Sequence, residues 1–407
     1  MTFDMRNQVL VEAIARYEAG RMSRRQLLRT MGGLGLGAVG ALALGKVASA
    51  APHGGHAALA RNQEGGTPPA VATPEVGPRA DGTTLWKVLV GGHDMENKLD
   101  FQGFFPGEIT INAGDSIWFD YGMGGFHTVT FLGGAEPIPL ILPDPEATPA
   151  AGPPPVIING QALVPSGGTM VDGMQIVNSG ADVFLEGAPI VFDFPTAGTF
   201  EYLCLPHGAV MKGTVIVQEA GAELPHDQAG YDALATEQVE ALREEGLAER
   251  EKYAEAVSTA RDDGTTLWEV AAGSGPNQVR VMAFLPEAIE VSVGDTIKFI
   301  NQSPGEPHTV SFIGEGEAPP EDLLPGQFAD GSPKFAINPL TFLPQGGNVW
   351  SGTGWVNSGY MGIPEVGLPM EWEVTFDTEG EFIYYCILHG DAEGNRMAAT
   401  VKVNPKV

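Results

Sequence analysis

Six residues, Asp81-Gly82-Thr83-Thr84-Leu85-Trp86, return unchanged as Asp263-Gly264-Thr265-Thr266-Leu267-Trp268. Further landmarks follow in the same order. Gly114-Asp115-Ser116-Ile117 returns as Gly294-Asp295-Thr296-Ile297, and Phe126-His127-Thr128-Val129 as Pro307-His308-Thr309-Val310. Val177-Asn178-Ser179-Gly180 returns as Val356-Asn357-Ser358-Gly359, and Tyr202-Leu203-Cys204-Leu205-Pro206-His207-Gly208 as Tyr384-Tyr385-Cys386-Ile387-Leu388-His389-Gly390. The offsets stay between 179 and 182 residues. That period is far longer than a solenoid repeat and marks the duplication of a whole domain. The 407-residue chain therefore holds one fold twice, over 81–218 and 263–407, and any functional residue set has to be sought in both copies.

Within each copy the segments are short and alternate apolar with polar residues. Ile109-Thr110-Ile111 and Ser116-Ile117-Trp118-Phe119 flank a turn at Ala113-Gly114-Asp115. Thr214-Val215-Ile216-Val217 closes the first copy and Thr400-Val401-Lys402-Val403 the second. With 55 Gly and 32 Pro to punctuate them, such strands predict an all-β chain of two β-sandwiches. Residues 219–262 differ in character. Over 227–260 Ala, Glu and Leu replace Gly and Pro. Val239, Leu242, Tyr253 and Val257 lie near one helical stripe, predicting a helical connector of one helix or of two divided at Gly246.

The first 50 residues read as an address. Arg24-Arg25 precede an apolar run from Met31 to Gly45, and Ala48-Ser49-Ala50 offers a small-residue cleavage site. The paired arginines resemble the twin-arginine signal that exports folded proteins, which places the chain in the periplasm or outside the cell. The uncharged stretch is short for a bilayer span, so any membrane contact is confined to an uncleaved N-terminal segment. Gly35-x-Gly37-x-x-Gly40 matches a dinucleotide-binding pattern by letter only, because it lies inside this apolar segment with no strand before it. Residues 51–80 read as a flexible tether carrying His53 and His56.

The chain has two cysteines, one in each copy at equivalent positions. Each keeps the same companions: His127, Cys204, His207 and Met211 in the first copy, and His308, Cys386, His389 and Met397 in the second. A disulfide or two inert thiols would leave those companions unexplained. A thiolate, two imidazoles and a thioether form a soft, mixed donor set that favours copper, and thioether is a poor ligand for zinc. Two His and one Cys in a plane with a long axial Met is the arrangement of a blue-copper electron-transfer centre.

These residues resemble those of the cupredoxin family, the plastocyanin-like and azurin-like blue copper proteins. The resemblance spans 81–218 and 263–404. It rests on the early His in Phe126-His127-Thr128-Val129 and Pro307-His308-Thr309-Val310, and on the late Tyr-x-Cys-x-x-His-Gly segments followed by Met. It implies two Greek-key β-sandwiches joined by the helical connector, each holding one type 1 copper, two per chain. It also implies that electrons pass through the solvent-side imidazole, His207 or His389. The chain departs from the compact family pattern in two places. Long stretches at 133–190 and 314–370 separate the early His from the Cys, and form either a cover over the metal end or an interdomain contact. The loop from His389 to Met397 is longer than that from His207 to Met211 and contains Asp391 and Glu393.

A net charge of -29 excludes nucleic acid as a partner, since phosphate recognition needs a basic face. It suits a basic redox partner such as a cytochrome. Tandem cupredoxins also include nitrite reductases and multicopper oxidases. Their catalytic coppers use a His beside the ligand Cys and His-x-His pairs, and here the neighbours are Leu203, Leu205, Tyr385 and Ile387, with no His-x-His anywhere. His93 and His226 lack counterparts in the other copy and read as surface residues. An electron carrier is favoured over an enzyme, with copper storage or delivery and an oxidoreductase as the alternatives.

Overall fold

The computed structural model describes residues 73–406, apart from short segments at 123–125, 147–154, 182–188, 209, 276, 316, 318, 330–332 and 365–366. The segment read as an export signal, the glycine pattern within it, most of the segment read as a tether, His53 and His56 lie outside the described residues. No helix among the described residues is long and apolar enough to cross a membrane.

Each repeat folds into two facing sheets. In the first, Gly77–Pro78, Thr84–Val90, Ser116–Asp120 and Ile190–Asp193 line up in that order, with Phe104–Phe105 beside Thr84–Val90. The facing sheet runs Val177–Asn178, Thr130–Phe131, Gly198–Leu203, Lys212–Gln218, Glu108–Asn112. Its strands show the alternation that buries one face: Glu108–Asn112 and Lys212–Gln218 place every second residue in the core. The second repeat repeats the pairings. Thr266–Ser274 runs parallel to Thr296–Gln302 as Thr84–Val90 does to Ser116–Asp120, and Ala288–Ser292 runs parallel to Arg396–Asn404 as Glu108–Asn112 does to Lys212–Gln218. The aromatic cores correspond as well. Tyr202 meets Phe119 edge-on at 5.3 Å, and Tyr384 meets Phe299 at 5.1 Å.

The repeated motifs now have physical reasons. Asp115 accepts from the Thr84 amide (2.7 Å) and the Trp86 indole (2.9 Å), and Asp295 does the same for Thr266 and Trp268. The two motifs that opened each repeat are thus halves of one buried tie. Asn178 donates to the Val164 carbonyl at 3.1 Å and Ser179 accepts from the Val129 amide at 2.8 Å, pinning the helix Gly160–Leu163 behind the segment that carries His127. Asn357 and Ser358 do this for Pro339–Phe342 and the strand beyond His308.

The repeats are not separate beads. Leu99–Phe101 of the first repeat pairs antiparallel with Val279–Leu285 of the second, extending the second repeat's sheet with first-repeat strands. The long inserted stretches meet too. Ile141–Pro143, Val156–Ile158, Pro333–Ile337 and Leu323–Gln327 form one four-stranded sheet whose middle pairing joins the repeats, so the insertions make an interdomain contact. A shared apolar core of Leu99, Phe101, Phe105, Val279, Val281 and Leu285 lies beneath the connector.

That connector is one unbroken helix, Gln228–Lys252, capped by Asp227, whose carboxylate accepts from the Gly230 amide at 2.9 Å. Of the two readings, the single helix holds and there is no break at Gly246. A Cβ there would meet Val279 at 2.8 Å and Leu99 at 2.9 Å, so the glycine lets the helix lie close on the joint between the repeats. Val239, Leu242 and Tyr253 pack on the shared core as the stripe predicted, but Val257 does not. It is exposed in the strand Val257–Ala260, which pairs with Thr266–Ser274 before the second repeat begins in earnest.

Candidate metal centre

Cys204 follows directly on the strand Gly198–Leu203, and Cys386 lies within the strand Gly380–Gly390. His207 comes one tight turn later, and His389 lies further along the same strand as Cys386, past an irregularity in its pairing between Tyr385 and Gly390. His127 and His308 arrive from the chain just before Thr130–Phe131 and Ser311–Ile313, the strands that pair with the cysteine strands. The fold gathers each set. The ligand atoms of His127, Cys204 and His207 all lie within 4.8 Å of one another, and so do those of His308, Cys386 and His389.

The two constellations are nearly superimposable in their distances. His127 Nδ1 and His207 Nδ1 are 3.1 Å apart, and Cys204 Sγ lies 3.9 and 3.4 Å from them. In the second repeat the same separations are 3.1, 3.9 and 3.5 Å. Both ring pairs cross edge-on with centroids 5.0 Å apart. A single proton could serve only one of these approaches. A cation satisfies two nitrogen lone pairs and a sulfur at once, so the chemistry of the donor set fits a soft metal ion.

The surroundings hold each donor in place. The Thr128 amide donates to Cys204 Sγ at 3.4 Å, and the Thr309 amide to Cys386 Sγ at 3.3 Å. Such N–H donors stabilise sulfur as thiolate. The Thr128 and Thr309 hydroxyls accept from the amides of Leu205 and Ile387, both at 2.8 Å, which fixes the turn leaving each cysteine. Behind the early histidines stand Gly91 and Gly273, both at positive φ (66° and 77°). A Cβ on either would lie 2.4 Å from His127 Nε2 or 2.2 Å from His308 Nε2. Only glycine adopts that backbone without cost and leaves room for the ring. This pair escaped the sequence reading, although its offset of 182 residues matches the repeat.

Met211 and Met397 are fully buried and share core clusters with Cys204 and Cys386 respectively. The Cys204 amide donates to the Met211 carbonyl at 3.0 Å, so the two lie side by side on neighbouring chains. In the second repeat Tyr385 pairs with Ala398, which brings Met397 to the equivalent place next to Cys386. The extra residues before Met397 lengthen the hairpin, with Gly390 paired to Arg396 and the Asp391 carboxylate accepting from the Asn395 amide at 2.9 Å. They leave the methionine where the shorter loop puts Met211.

The two centres differ in their electrostatic surroundings. Burial pulls the His127 pKa down to about 3, and pulls His207 and His308 down as well. Burial also works against charge on His389, but the adjacent Cys386 sulfur and Glu306 push its pKa up to about 10. Burial opposes a Cys386 thiolate too, yet His389 and His308 hold its pKa well below the usual thiol value.

His207 and His389 do not point at open solvent, as the resemblance implied. Their side chains are 11% and 20% exposed, and both Nε2 edges turn toward one carboxylate, Glu306. His93 is not a plain surface residue either. Its Nδ1 lies 2.7 Å from Asp100 Oδ1 at the seam between the repeats. His226 stacks edge-on against Tyr231 at 5.3 Å, well away from both centres. Glu306 was missed in the sequence because its equivalent position in the first repeat is Gly125.

Residues 91–218 match the family described as copper binding proteins, plastocyanin/azurin family. Among solved structures, an oxidised amicyanin variant is 18% identical over 33% of this chain and 80% of its own length, with a TM-score of 0.19. An oxidised plastocyanin from Dryopteris crassirhizoma is 17% identical over 33% of this chain and 99% of its own (TM-score 0.19). Native pseudoazurin from Hyphomicrobium denitrificans is 16% identical over 33% and 74% (TM-score 0.19). No curated protein matches. The family binds copper, and both His–Cys–His groups have the donors to hold it.

Proposed function

We propose that the chain is an exported two-domain blue copper protein that carries electrons, with one type 1 copper in each domain, 81–218 and 263–407. His127, Cys204, His207 and Met211 would hold the first ion, and His308, Cys386, His389 and Met397 the second. The observation that carries this reading is the recurrence of the same buried His–Cys–His set, at closely matching distances, in both repeats. Bound copper supplies a one-electron couple. The chain's part is to keep three donors at fixed positions so that little rearranges when the charge changes. Buried ring packing, the threonine-locked turns and the glycine-backed imidazoles do this.

The paired arginines at Arg24-Arg25 support export to the periplasm or beyond. The acidic surface supports encounter with a basic redox protein such as a cytochrome, by electrostatic steering that weakens with salt. The copper-loaded protein is expected to show an intense thiolate-to-copper visible band with about two coppers per chain. A colourless loaded protein, or full colour in a Cys204→Ser Cys386→Ser double variant, would overturn the assignment.

A further inference from the structure

The two centres meet at one residue. Glu306, in the loop before His308, is 5% exposed. One carboxylate oxygen lies 3.2 Å from His389 Nε2, and the other 3.6 Å from His207 Nε2. That second oxygen also accepts from Gln102 Nε2 at 2.6 Å. Gln102 belongs to the first repeat. Its own side-chain oxygen accepts from Arg280 Nε at 3.1 Å, and Arg280 further donates to the carbonyls of Gly275 and Pro304. The loop is held from below, where Asn301 Nδ2 donates to the Glu306 carbonyl at 2.8 Å. Strand pairing between the repeats sets Asp100 opposite Arg280, so this buried polar seam is built by the fold.

A buried carboxylate needs compensation, and here it comes from an amide, a nearby guanidinium and two imidazole edges. An imidazole whose Nε2–H points at a carboxylate presents the Nδ1 lone pair inward, and the carboxylate raises its basicity as a ligand. Both late imidazoles present Nδ1 to their own cysteine and Nε2 to Glu306. We propose that Glu306 is a positioning residue shared by both centres: it orients His207 and His389 together and makes the occupancy of one centre felt at the other. This rests on the ligand sets assigned above but does not require that the native metal be copper. Because Glu306 lies in the second repeat, an effect on the first centre is the diagnostic result.

The test uses the full chain loaded with cadmium and read by cadmium NMR, alongside Cu(I) binding in competition with a coloured chelator. Two cadmium resonances are expected, each assigned by its loss in Cys204→Ser or Cys386→Ser. Glu306→Ala should shift both resonances and weaken Cu(I) binding at each centre about 10-fold or more. Glu306→Gln, which keeps an acceptor of the same shape, should restore part of both. The first centre's resonance should also move when the second is emptied by Cys386→Ser, and that movement should vanish with Glu306→Ala. Glu287→Gln, which breaks an ion pair at the joint away from both centres, should leave both resonances in place. A Glu306→Ala effect confined to the second centre, or equal effects from Glu287→Gln, would overturn the proposal. A colourless copper form with the cadmium pattern intact would instead overturn only the blue-copper reading.

Discussion

At the residue scale, the glycines behind the early histidines are as constrained as the ligands themselves. Gly91→Ala or Gly273→Ala must adopt a left-handed backbone, at a cost of about 1–2 kcal/mol, and drive a methyl into the adjacent imidazole. Each variant is expected to lose copper from its own repeat only, measured as a fall from about two coppers per chain to about one and half the visible absorbance. The eight proposed ligands were legible in the sequence because their types are scarce and their order recurs. Gly91 and Gly273 also recur, but among many glycines nothing in their letters marks them. Glu306 was illegible for the opposite reason. It breaks the repeat, and one more acidic residue in an acidic chain carries no signal until the fold buries it against two imidazoles.

At the scale of elements, the strands were readable from alternation, and the connector from its composition. What the sequence could not convey was partnership across the repeats. Leu99–Phe101 and the inserted strands are too short to announce their partners, which lie far away in the chain. The helix Gln228–Lys252 seals that joint. Gly246→Ala should destabilise the protein by about 1–3 kcal/mol in denaturant unfolding, because its methyl would overlap Val279 and Leu99. Where the helix ends, Glu287 accepts from Lys98 at 2.7 Å and from Arg250 at 2.8 Å, tying first repeat, helix and second repeat together. Burial pushes the Glu287 carboxyl up, but hydrogen bonds and charge from Lys98 and Arg250 win and hold its pKa below the usual value. A lowered folded pKa stabilises above the ordinary carboxylate range, and that contribution fades as pH falls through the folded value. Exposure limits it to about 1 kcal/mol or less. The stability gap between wild type and Glu287→Gln should therefore be present at neutral pH and close below about pH 4, as followed by urea midpoints across pH.

For the whole molecule, the shared core and two cross-repeat sheets predict one cooperative unfolding transition for residues 73–406. Calorimetry should give a single peak, and chelating the metal should lower its midpoint without splitting it, since only the folded chain presents the assembled sites. Two resolved transitions would contradict the interlocked architecture. The four-stranded sheet built from both insertions has a further meaning for either repeat taken alone. The first repeat on its own would keep Val156–Ile158 and Leu99–Phe101 but lose the strands they complete, leaving bare edges open to aggregation. The strand exchange thus makes the solubility of each copy depend on the other.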